Sequence, residues 1–270
     1  MNAARPPEGE ERRLAFITGA SSGIGQALAL RCAAAGWRLA LVARRADQLT
    51  AWAQAQGWPA EHWRVYGADV ADPASIVAAG QACLAAQGLP DVVVANAGIS
   101  VGMDTAVRAD LDVMARTFAT NNLGLAATFH PFVEPMRRRG SGRLVGIASV
   151  AAIRGLPGHG AYCASKAGVV SYCESLRGEL RGSGVRVVTI LPGYVDTPLT
   201  RRNRYPMPFL MTPARFADRA LRVIQAGRSY RVIPWQMGVA AKLLRVLPNA
   251  LFDRLLAGRP RKARQDGPLE

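Results

Sequence analysis

Short apolar runs alternate along the chain with longer stretches in which apolar residues recur every three or four positions. The runs predict strands near residues 14–18, 38–43, 63–67, 91–96, 143–148, 185–191 and 230–234. The stretches between them predict helices near 24–35, 46–56, 74–87, 110–139, 163–181 and 213–226. This alternation is typical of an α/β fold, so we predict one Rossmann-like, doubly wound parallel sheet of about seven strands with helices on both faces.

The length of 270 residues allows one or two domains, and no linker interrupts the alternation. We therefore predict a single Rossmann-like domain over 12–235. Residues 1–11 lack the apolar core of a secretion signal and are predicted to form a flexible tail. Residues 236–270 are predicted to form a basic, amphipathic extension.

Tyr162 and Lys166 are four residues apart, a spacing that places both side chains on one face of a helix. A nearby cation favours phenolate, so we expect the lysine to lower the pKa of Tyr162 towards neutrality and make it a general acid/base. The 34 basic residues include only three lysines, which makes a lysine here informative. Taken alone, the same spacing also fits an ordinary amphipathic helix.

Ser149 follows the apolar run 144–148, which predicts a buried strand. Parallel sheets bind ligands at the carboxyl ends of their strands. A hydroxyl at this position is therefore expected to point into the crevice that holds Tyr162.

A glycine-rich turn follows the first strand, with glycines at 19, 23 and 25 before a predicted helix. Glycines allow a tight turn and a close approach to a pyrophosphate, which the helix amino terminus stabilises. The residues predicted to surround the phosphates are Gly19, Ser21, Ser22, Gly23, Ile24 and Gly25. The spacing G-x-x-x-G-x-G differs from the commoner G-x-G-x-x-G, and the turn alone is weak support.

The same turn fits G-x-S-x-G, the nucleophile elbow of a hydrolase, with Ser21 as nucleophile. Such an enzyme needs a histidine late in the chain. The only histidines are His62, His130 and His159, and none follows the sixth predicted strand. The hydrolase interpretation is therefore disfavoured.

The ordered set of motifs resembles the short-chain dehydrogenase/reductase family over about residues 12–235. The motifs are Thr18-Gly19-x-x-x-Gly23-Ile24-Gly25, Asp69-Val70, Asn96-Ala97-Gly98, Asn121-Asn122-Leu123-Gly124, Ser149, Tyr162-x-x-x-Lys166 and Pro192-Gly193-x-x-Asp196-Thr197-Pro198. The resemblance implies an oxidoreductase that transfers a hydride between a nicotinamide cofactor and an alcohol or ketone.

In that family an asparagine joins the serine, tyrosine and lysine in the catalytic group. The family's spacing to the following glycine selects Asn121, although Asn122 is adjacent. The resemblance implies that Tyr162 exchanges the proton and Ser149 holds the substrate oxygen. It also implies that Lys166 binds the nicotinamide ribose and Asn121 supports a water that relays protons to it.

The cofactor is predicted to be NADP(H). The second strand ends in Arg44 and Arg45, where an NAD enzyme usually has an acidic residue, and arginines suit a 2′-phosphate. Two solvated arginines are the alternative. The resemblance further implies that the adenine and nicotinamide ends contact Asp69, Val70, Asn96, Ala97, Gly98, Pro192, Gly193, Val195 and Thr197.

A dinucleotide sensor or scaffold on the same fold is the alternative function, since a fold does not determine activity. Intact Ser149, Tyr162 and Lys166 favour the enzyme, because a sensor has no reason to keep them. We predict a lipophilic substrate from the apolar segment 205–211, which is expected to lie over the pocket.

The net charge is +15, and residues 201–270, with 15 basic and 4 acidic residues, contribute +11 of it. Leu244, Leu247, Leu251 and Leu255 recur at helical spacing beside these charges, broken by a proline. Residues 237–264 are too short and charged to span a bilayer, but fit peripheral contact with anionic lipid. Packing on the chain's own domain or on a partner subunit is the alternative. Nucleic-acid binding is not predicted, because no reading element accompanies the charge.

The four cysteines show no C-x-x-C spacing and indicate small buried hydrophobes in a reducing compartment. We therefore predict a cytoplasmic protein without a metal site.

Small residues form one stripe on the helix that carries Tyr162, nearly opposite that side chain. They are Ala164, Gly168, Ser171, Ser175 and Gly178. Such a stripe permits close packing against the same helix of a second subunit, or against the chain's own sheet. Together with the resemblance, it predicts a homodimer or homotetramer.

Overall fold

Strands and helices alternate along the chain in the predicted order. The computed structural model describes residues 12–201, 203, 205–258 and 260–264, so the predicted tail 1–11 lies outside the described residues. The strands are β1 (Leu14–Thr18), β2 (Arg38–Ala43), β3 (Trp63–Gly67), β4 (Val92–Ala95), β5 (Gly142–Ile147), β6 (Val185–Pro192) and β7 (Tyr230–Ile233). The α-helices are α1 (Gly23–Ala34), α2 (Ala46–Gln54), α3 (Pro73–Gln87), α4 (Asp110–Phe118), α5 (Gly124–Arg139), α6 (Gly160–Glu179), α7 (Pro198–Arg201), α8 (Pro213–Gln225), α9 (Trp235–Val246) and α10 (Asn249–Leu256).

The strands form one parallel sheet in the order β3-β2-β1-β4-β5-β6-β7. The chain builds outward from β1 to β3, then crosses back to place β4 on the other side of β1. This reversal opens a crevice at the carboxyl ends of β1 and β4. The predicted Rossmann-like fold is confirmed.

Two apolar layers hold the helices on the sheet. On one face, Ile17, Leu28 and Phe216 belong to the core that packs β1, α1 and α8 together. On the other face, Phe16 contacts Phe132 of α5 with ring centroids 4.9 Å apart. Strands covered on both faces are apolar at consecutive positions, which is why they appear in the sequence as unbroken runs.

The predicted helix over 110–139 contains a π-helical turn, Ala119–Leu123, between α4 and α5. Within that turn, the Asn121 amide donates to the Ile99 carbonyl at 3.0 Å, and its oxygen accepts from the Ile99 N–H at 2.9 Å. Wider turns of this kind often occur at functional sites. The apolar spacing of the sequence could not show this turn, because the helix resumes afterwards.

The carboxyl-terminal helices pack against the loop that follows β5. The Arg154 guanidinium lies 3.7 Å from the Phe252 ring centroid and donates to the carbonyls of Leu244 and, at 2.8 Å, Leu247. Carbonyls at the end of a helix lack intrahelical partners, so a cation here both caps and anchors α9.

The four leucines predicted to form one apolar row are divided between two environments. Leu244 and Leu247 are partly buried, whereas Leu251 and Leu255 are exposed. The reason is the break at Pro248, which changes the direction of the chain between α9 and α10.

Candidate functional site

A cleft of about 650 Å³ opens at the carboxyl edge of the sheet. Of the predicted site residues, nineteen line this cleft. They are Gly19, Ser21, Ser22, Gly23, Ile24, Arg44, Arg45, Asp69, Val70, Asn96, Ala97, Gly98, Ser149, Tyr162, Lys166, Pro192, Gly193, Val195 and Thr197. Gly25 and Asn121 do not line it, because both are buried behind its wall.

The glycine-rich turn has the backbone that its glycines predict. Gly19 and Gly23 have positive φ angles of 65° and 56°, which side chains disfavour. A Cβ on Gly25 would lie 2.3 Å from the Gly19 carbonyl oxygen, so only glycine lets α1 begin this close to the turn. The turn thus leaves an open cradle at the amino terminus of α1, where an anion is stabilised.

Asn96 ties the end of β4 to this turn. Its amide donates to the Thr18 carbonyl at 2.9 Å, and its backbone N–H donates to the Thr18 hydroxyl at 3.0 Å. The position of the glycine-rich turn therefore depends on a side chain nearly eighty residues away.

The far end of the cleft carries positive charge. Arg44 and Arg45 are exposed and line the cleft where β2 ends. After the neighbouring strand β3, the Asp69 carboxylate accepts from the Ala71 N–H at 3.0 Å and so holds the turn there. The same turn places Val70 against the cleft.

The near end of the cleft is closed by the segment after β6. A Cβ on Gly23 would lie 3.1 Å from the Thr197 methyl group, so this segment passes directly over the glycine-rich turn. Pro192, Gly193 and Val195 lead into it and line the same end of the cleft.

Ser149 and Tyr162 meet in the cleft. The nearly buried Ser149 side chain accepts from the Ala151 N–H at 3.1 Å, and its hydroxyl is hydrogen-bonded to the Tyr162 phenol. Burial raises the pKa of Tyr162, and the hydrogen bond from Ser149 opposes this only in part. Tyr162 is therefore a neutral phenol at pH 7.

The expectation that Lys166 lowers the pKa of Tyr162 is wrong for this structure. The Lys166 ammonium donates to the Ile147 carbonyl at 2.8 Å and lies 5.9 Å from the Tyr162 ring centroid. Burial of the phenol is the largest effect on the Tyr162 pKa and raises it. Burial also lowers the pKa of Lys166 itself, to about 8.

Asn121 lies beside Lys166, whereas Asn122 faces away. A Cβ on Gly98 would lie 3.1 Å from the Asn121 amide oxygen and 3.4 Å from the Lys166 ammonium, so both groups lie next to Gly98. Asn122 instead donates to the Ser165 carbonyl at 2.9 Å. The structure thus brings Asn121 to the candidate catalytic group, as the spacing to the following glycine indicated.

Several cleft residues were not found by sequence reasoning. They include Ile99, Arg116, Thr120, Leu199 and Thr200. No local signal marks Arg116 or Thr120, since α4 and the π turn reach the cleft only when they pack on α6. Thr200 is two residues beyond the recognised motif, and its hydroxyl accepts from the Thr197 N–H at 3.0 Å.

The described residues bear on the predictions for membranes, metals and cysteines. No helix among them has the length and apolar character needed to cross a membrane. No group of three or more His, Cys, Asp or Glu side chains among them is arranged to hold a metal ion. The four cysteines are buried and unpaired.

Comparisons with known proteins agree with this fold and cleft. The family model described as short chain dehydrogenase matches residues 13–207. An uncharacterised oxidoreductase of Myxococcus xanthus is 42% identical over 244 residues, covering 89% of this chain and 95% of that protein. The 2-(R)-hydroxypropyl-CoM dehydrogenase of Xanthobacter autotrophicus is 34% identical, covering 70% and 77%.

Among solved structures, the 3-ketoacyl-(acyl-carrier-protein) reductase of Brucella melitensis, complexed with NADH, superposes with a TM-score of 0.73 at 28% identity. The match covers 82% of this chain and 95% of that one. The chain therefore belongs to the short-chain dehydrogenase/reductase family and is an oxidoreductase that uses a nicotinamide dinucleotide.

Lys166 makes the stability of the fold depend on pH. Its folded pKa of about 8 lies below the ordinary 10.5, so between these values the unfolded chain binds the proton more strongly. The unfavourable burial of the charge is fully present below pH 8 and is relieved as the pH rises towards 10.5. We compare the unfolding free energy of the wild type with that of Lys166→Met. The difference, wild type minus variant, is predicted to rise by about 1–3 kcal/mol between pH 8 and pH 10.5.

Urea unfolding at several pH values measures this difference. Lys242→Met, which removes an exposed lysine on α9, is the matched control for loss of one positive charge. A Lys166→Met difference that stays flat with pH would show that the ammonium keeps its water in the folded protein.

Proposed function

We propose that the protein transfers a hydride between NADP(H) and an alcohol or ketone, with Tyr162 as general acid/base. The observation that carries this proposal is the group of Ser149, Tyr162 and Lys166 on one wall of the cleft. The glycine cradle on the opposite wall fits a dinucleotide, because Cβ atoms at Gly19 and Gly25 would meet other atoms within 3 Å. The bound cofactor supplies or accepts the hydride.

The side chains of this site handle the substrate oxygen and its proton. As a neutral phenol at pH 7, Tyr162 is ready to donate a proton to a carbonyl oxygen, which suits reduction. Ser149 donates to the same oxygen and holds it in place. Lys166 holds the nicotinamide ribose and, with Asn121, links Tyr162 to a water that replaces the proton.

The choice of NADP(H) over NAD(H) rests on Arg44 and Arg45. Both side chains are exposed at the end of β2 and line the cleft. A guanidinium pairs well with a doubly charged 2′-phosphate and has no comparable partner on a free ribose hydroxyl. The Brucella relative was solved with NADH, so the two chains are proposed to differ at this end of the cleft.

A sensor or scaffold role is the alternative, and it is not favoured. Such a protein would need the glycine cradle but not a buried ammonium beside a tyrosine and a serine. Burying Lys166 destabilises the fold, as its lowered pKa indicates, and catalysis offers a reason to keep it.

The substrate is proposed to have an apolar part. Tyr205, in the predicted pocket-covering segment 205–211, has its ring tilted against that of Tyr194, with centroids 6.3 Å apart. Its hydroxyl is hydrogen-bonded to His159, just before α6. The same segment exposes Phe209 and Leu210. An apolar segment of this kind over the pocket would favour lipophilic alcohols and ketones.

The oligomer is proposed to form through the outer face of α6. Ala164, Ser171, Ser175 and Gly178 are exposed there, so this part of the stripe is not used by the chain's own sheet. Only Gly168 packs inward, against Asn122. Sedimentation of the wild-type chain tests this proposal, since a monomer at micromolar concentration would contradict it.

Contact with anionic lipid is proposed for the outer face of α9 and α10, on a cytoplasmic protein. Trp235, Val239, Leu243 and Val246 form an exposed row on α9, flanked by the exposed cations Lys242 and Arg245. The inner face, with Gly238 and Phe252, is buried on the domain. An apolar row beside cations fits a membrane surface.

Replacing Tyr162 by Phe removes the transferable proton and almost no volume. We predict that Tyr162→Phe lowers turnover about 10²–10⁴-fold, the usual contribution of a general acid/base. NADPH binding, measured by fluorescence titration, should stay nearly unchanged. Retention of more than about half the activity would remove Tyr162 from the mechanism.

A carboxylate at position 44 would repel a 2′-phosphate and accept from a 2′-hydroxyl. Arg44→Asp is therefore predicted to shift the ratio of kcat/KM for NADPH and NADH towards NADH. Arg38→Asp, on the same strand but at its other end, is the control for the change in charge. An unchanged ratio would mean that the phosphate is bound elsewhere.

A charge in the exposed row should weaken lipid binding without disturbing the core. We predict that the wild type co-sediments with phosphatidylserine vesicles and that Leu243→Asp does not. Phosphatidylcholine vesicles and Leu111→Asp, an exposed leucine on α4, are the controls. Equal sedimentation of wild type and Leu243→Asp would refute contact through this face.

A further inference from the structure

Two lysines flank the Tyr162 ring. The ammonium groups of Lys166 and Lys262 each lie 5.9 Å from the ring centroid. The chain has only three lysines among its 34 basic residues. Two of the three thus meet at one phenol, although Lys262 lies almost one hundred residues further along the chain.

The segment 260–264 that carries Lys262 is fixed between the loop after β4 and the loop before α6. The Gly102 N–H donates to the Ala263 carbonyl at 3.2 Å. A Cβ on Gly102 would come within 2.4 Å of the Lys262 and Ala263 carbonyl oxygens, so the glycine lets the two backbones touch. On the other side of the segment, Arg261 packs against Gly158, two residues before α6 begins.

An ion pair holds the end of this segment. The Arg264 guanidinium donates to both carboxylate oxygens of Asp110, at 2.7 and 3.0 Å. The Asp110 side chain is only 6% exposed, and the hydrogen bond from Arg264 holds its pKa below the ordinary value. A bidentate pair of this kind fixes orientation as well as position. The chain is therefore fixed both before and after Lys262, and this lysine is held beside Tyr162.

Two polar side chains, those of Ser100 and His159, lie near the Lys262 ammonium. It donates to the Ser100 hydroxyl at 2.7 Å. It also acts on His159, whose pKa is lowered by burial and, to a smaller extent, by the Lys262 cation. His159 is bonded to the Tyr205 hydroxyl at 3.2 Å and is neutral at pH 7. The ammonium and the Ser100 hydroxyl together match the two oxygens of a carboxylate.

We propose that Lys262 binds a carboxylate of the substrate and makes the enzyme selective for oxo acids, or the corresponding hydroxy acids, over neutral ketones. This inference rests on the proposed function, because it takes Tyr162 as the group that meets the reacting oxygen. A substrate carboxylate at this position would form a short, charge-assisted hydrogen bond with the Lys262 ammonium, which a neutral ketone cannot offer. Lys262 is thus a specificity-determining residue supplied by the end of the chain.

The test compares matched substrates in the full-length chain with its preferred reduced cofactor. A series of straight-chain oxo acids, with the ketone at increasing distance from the carboxylate, is reduced alongside the methyl ester of each acid. Lys262→Met removes the charge and keeps the length, and Lys262→Arg keeps the charge. Arg261→Met removes a neighbouring cation from the same segment and is the control.

For the best oxo acid, Lys262→Met is expected to lower kcat/KM about 10- to 100-fold, mainly through KM, which corresponds to the loss of one charged hydrogen bond. The ester should change little, Lys262→Arg should restore much of the loss, and Arg261→Met should resemble the wild type. Equal losses for acid and ester would overturn the proposal, because Lys262 would then act on Tyr162 or on the fold. No loss for either would also overturn it.

A binding measurement separates this proposal from the proposed function. Tyr162→Phe with bound cofactor is titrated calorimetrically with hexanoate, which cannot be reduced. Weaker hexanoate binding in Tyr162→Phe/Lys262→Met than in Tyr162→Phe would support the carboxylate site. That support would hold even if the wild type reduced no oxo compound, a result that would contradict only the proposed function. Equal hexanoate affinity in the two proteins would overturn the role of Lys262.

Discussion

All seven strands run in the same direction, and the position of the site follows from this constraint. Parallel strands require a crossover between each pair, so every loop that leaves a carboxyl end reaches the same edge of the sheet. Residues as distant as Gly19, Asn96, Ser149 and Thr197 meet there for that reason. The reversal between β3 and β4 separates the loops of β1 and β4, and this separation forms the cleft.

Inside the cleft, burial decides the state of the ionisable groups. The pKa of Tyr162 is raised and that of Lys166 is lowered, so both groups are displaced towards their neutral forms. A lysine near a tyrosine would favour phenolate in water-like surroundings, but here the ammonium bonds the Ile147 carbonyl and both groups are desolvated. The result is a phenol that keeps its proton at pH 7, as the proposed proton donation to a carbonyl oxygen requires.

The end of the chain has two faces with different environments. Its inner side contacts Arg154, Gly102 and Asp110. These contacts place Lys262 beside Tyr162. Its outer side exposes the apolar row on α9 beside cations. The proposed oxo-acid specificity and the proposed lipid contact therefore use opposite sides of one extension, and each can be altered without touching the other.

The sequence by itself determined the order of strands and helices, the glycine-rich turn and most of the cleft residues. These features depend on local periodicity, on backbone conformations that only glycine adopts easily, and on motifs of fixed spacing. Sequence alone could not separate Asn121 from Asn122 by geometry, find the π turn, or set the pKa of Tyr162. Those depend on which groups surround a residue after folding. Nor could it bring Lys262 to Tyr162, because the contact needs a tail that crosses between two loops, and only the tertiary structure places those three segments together.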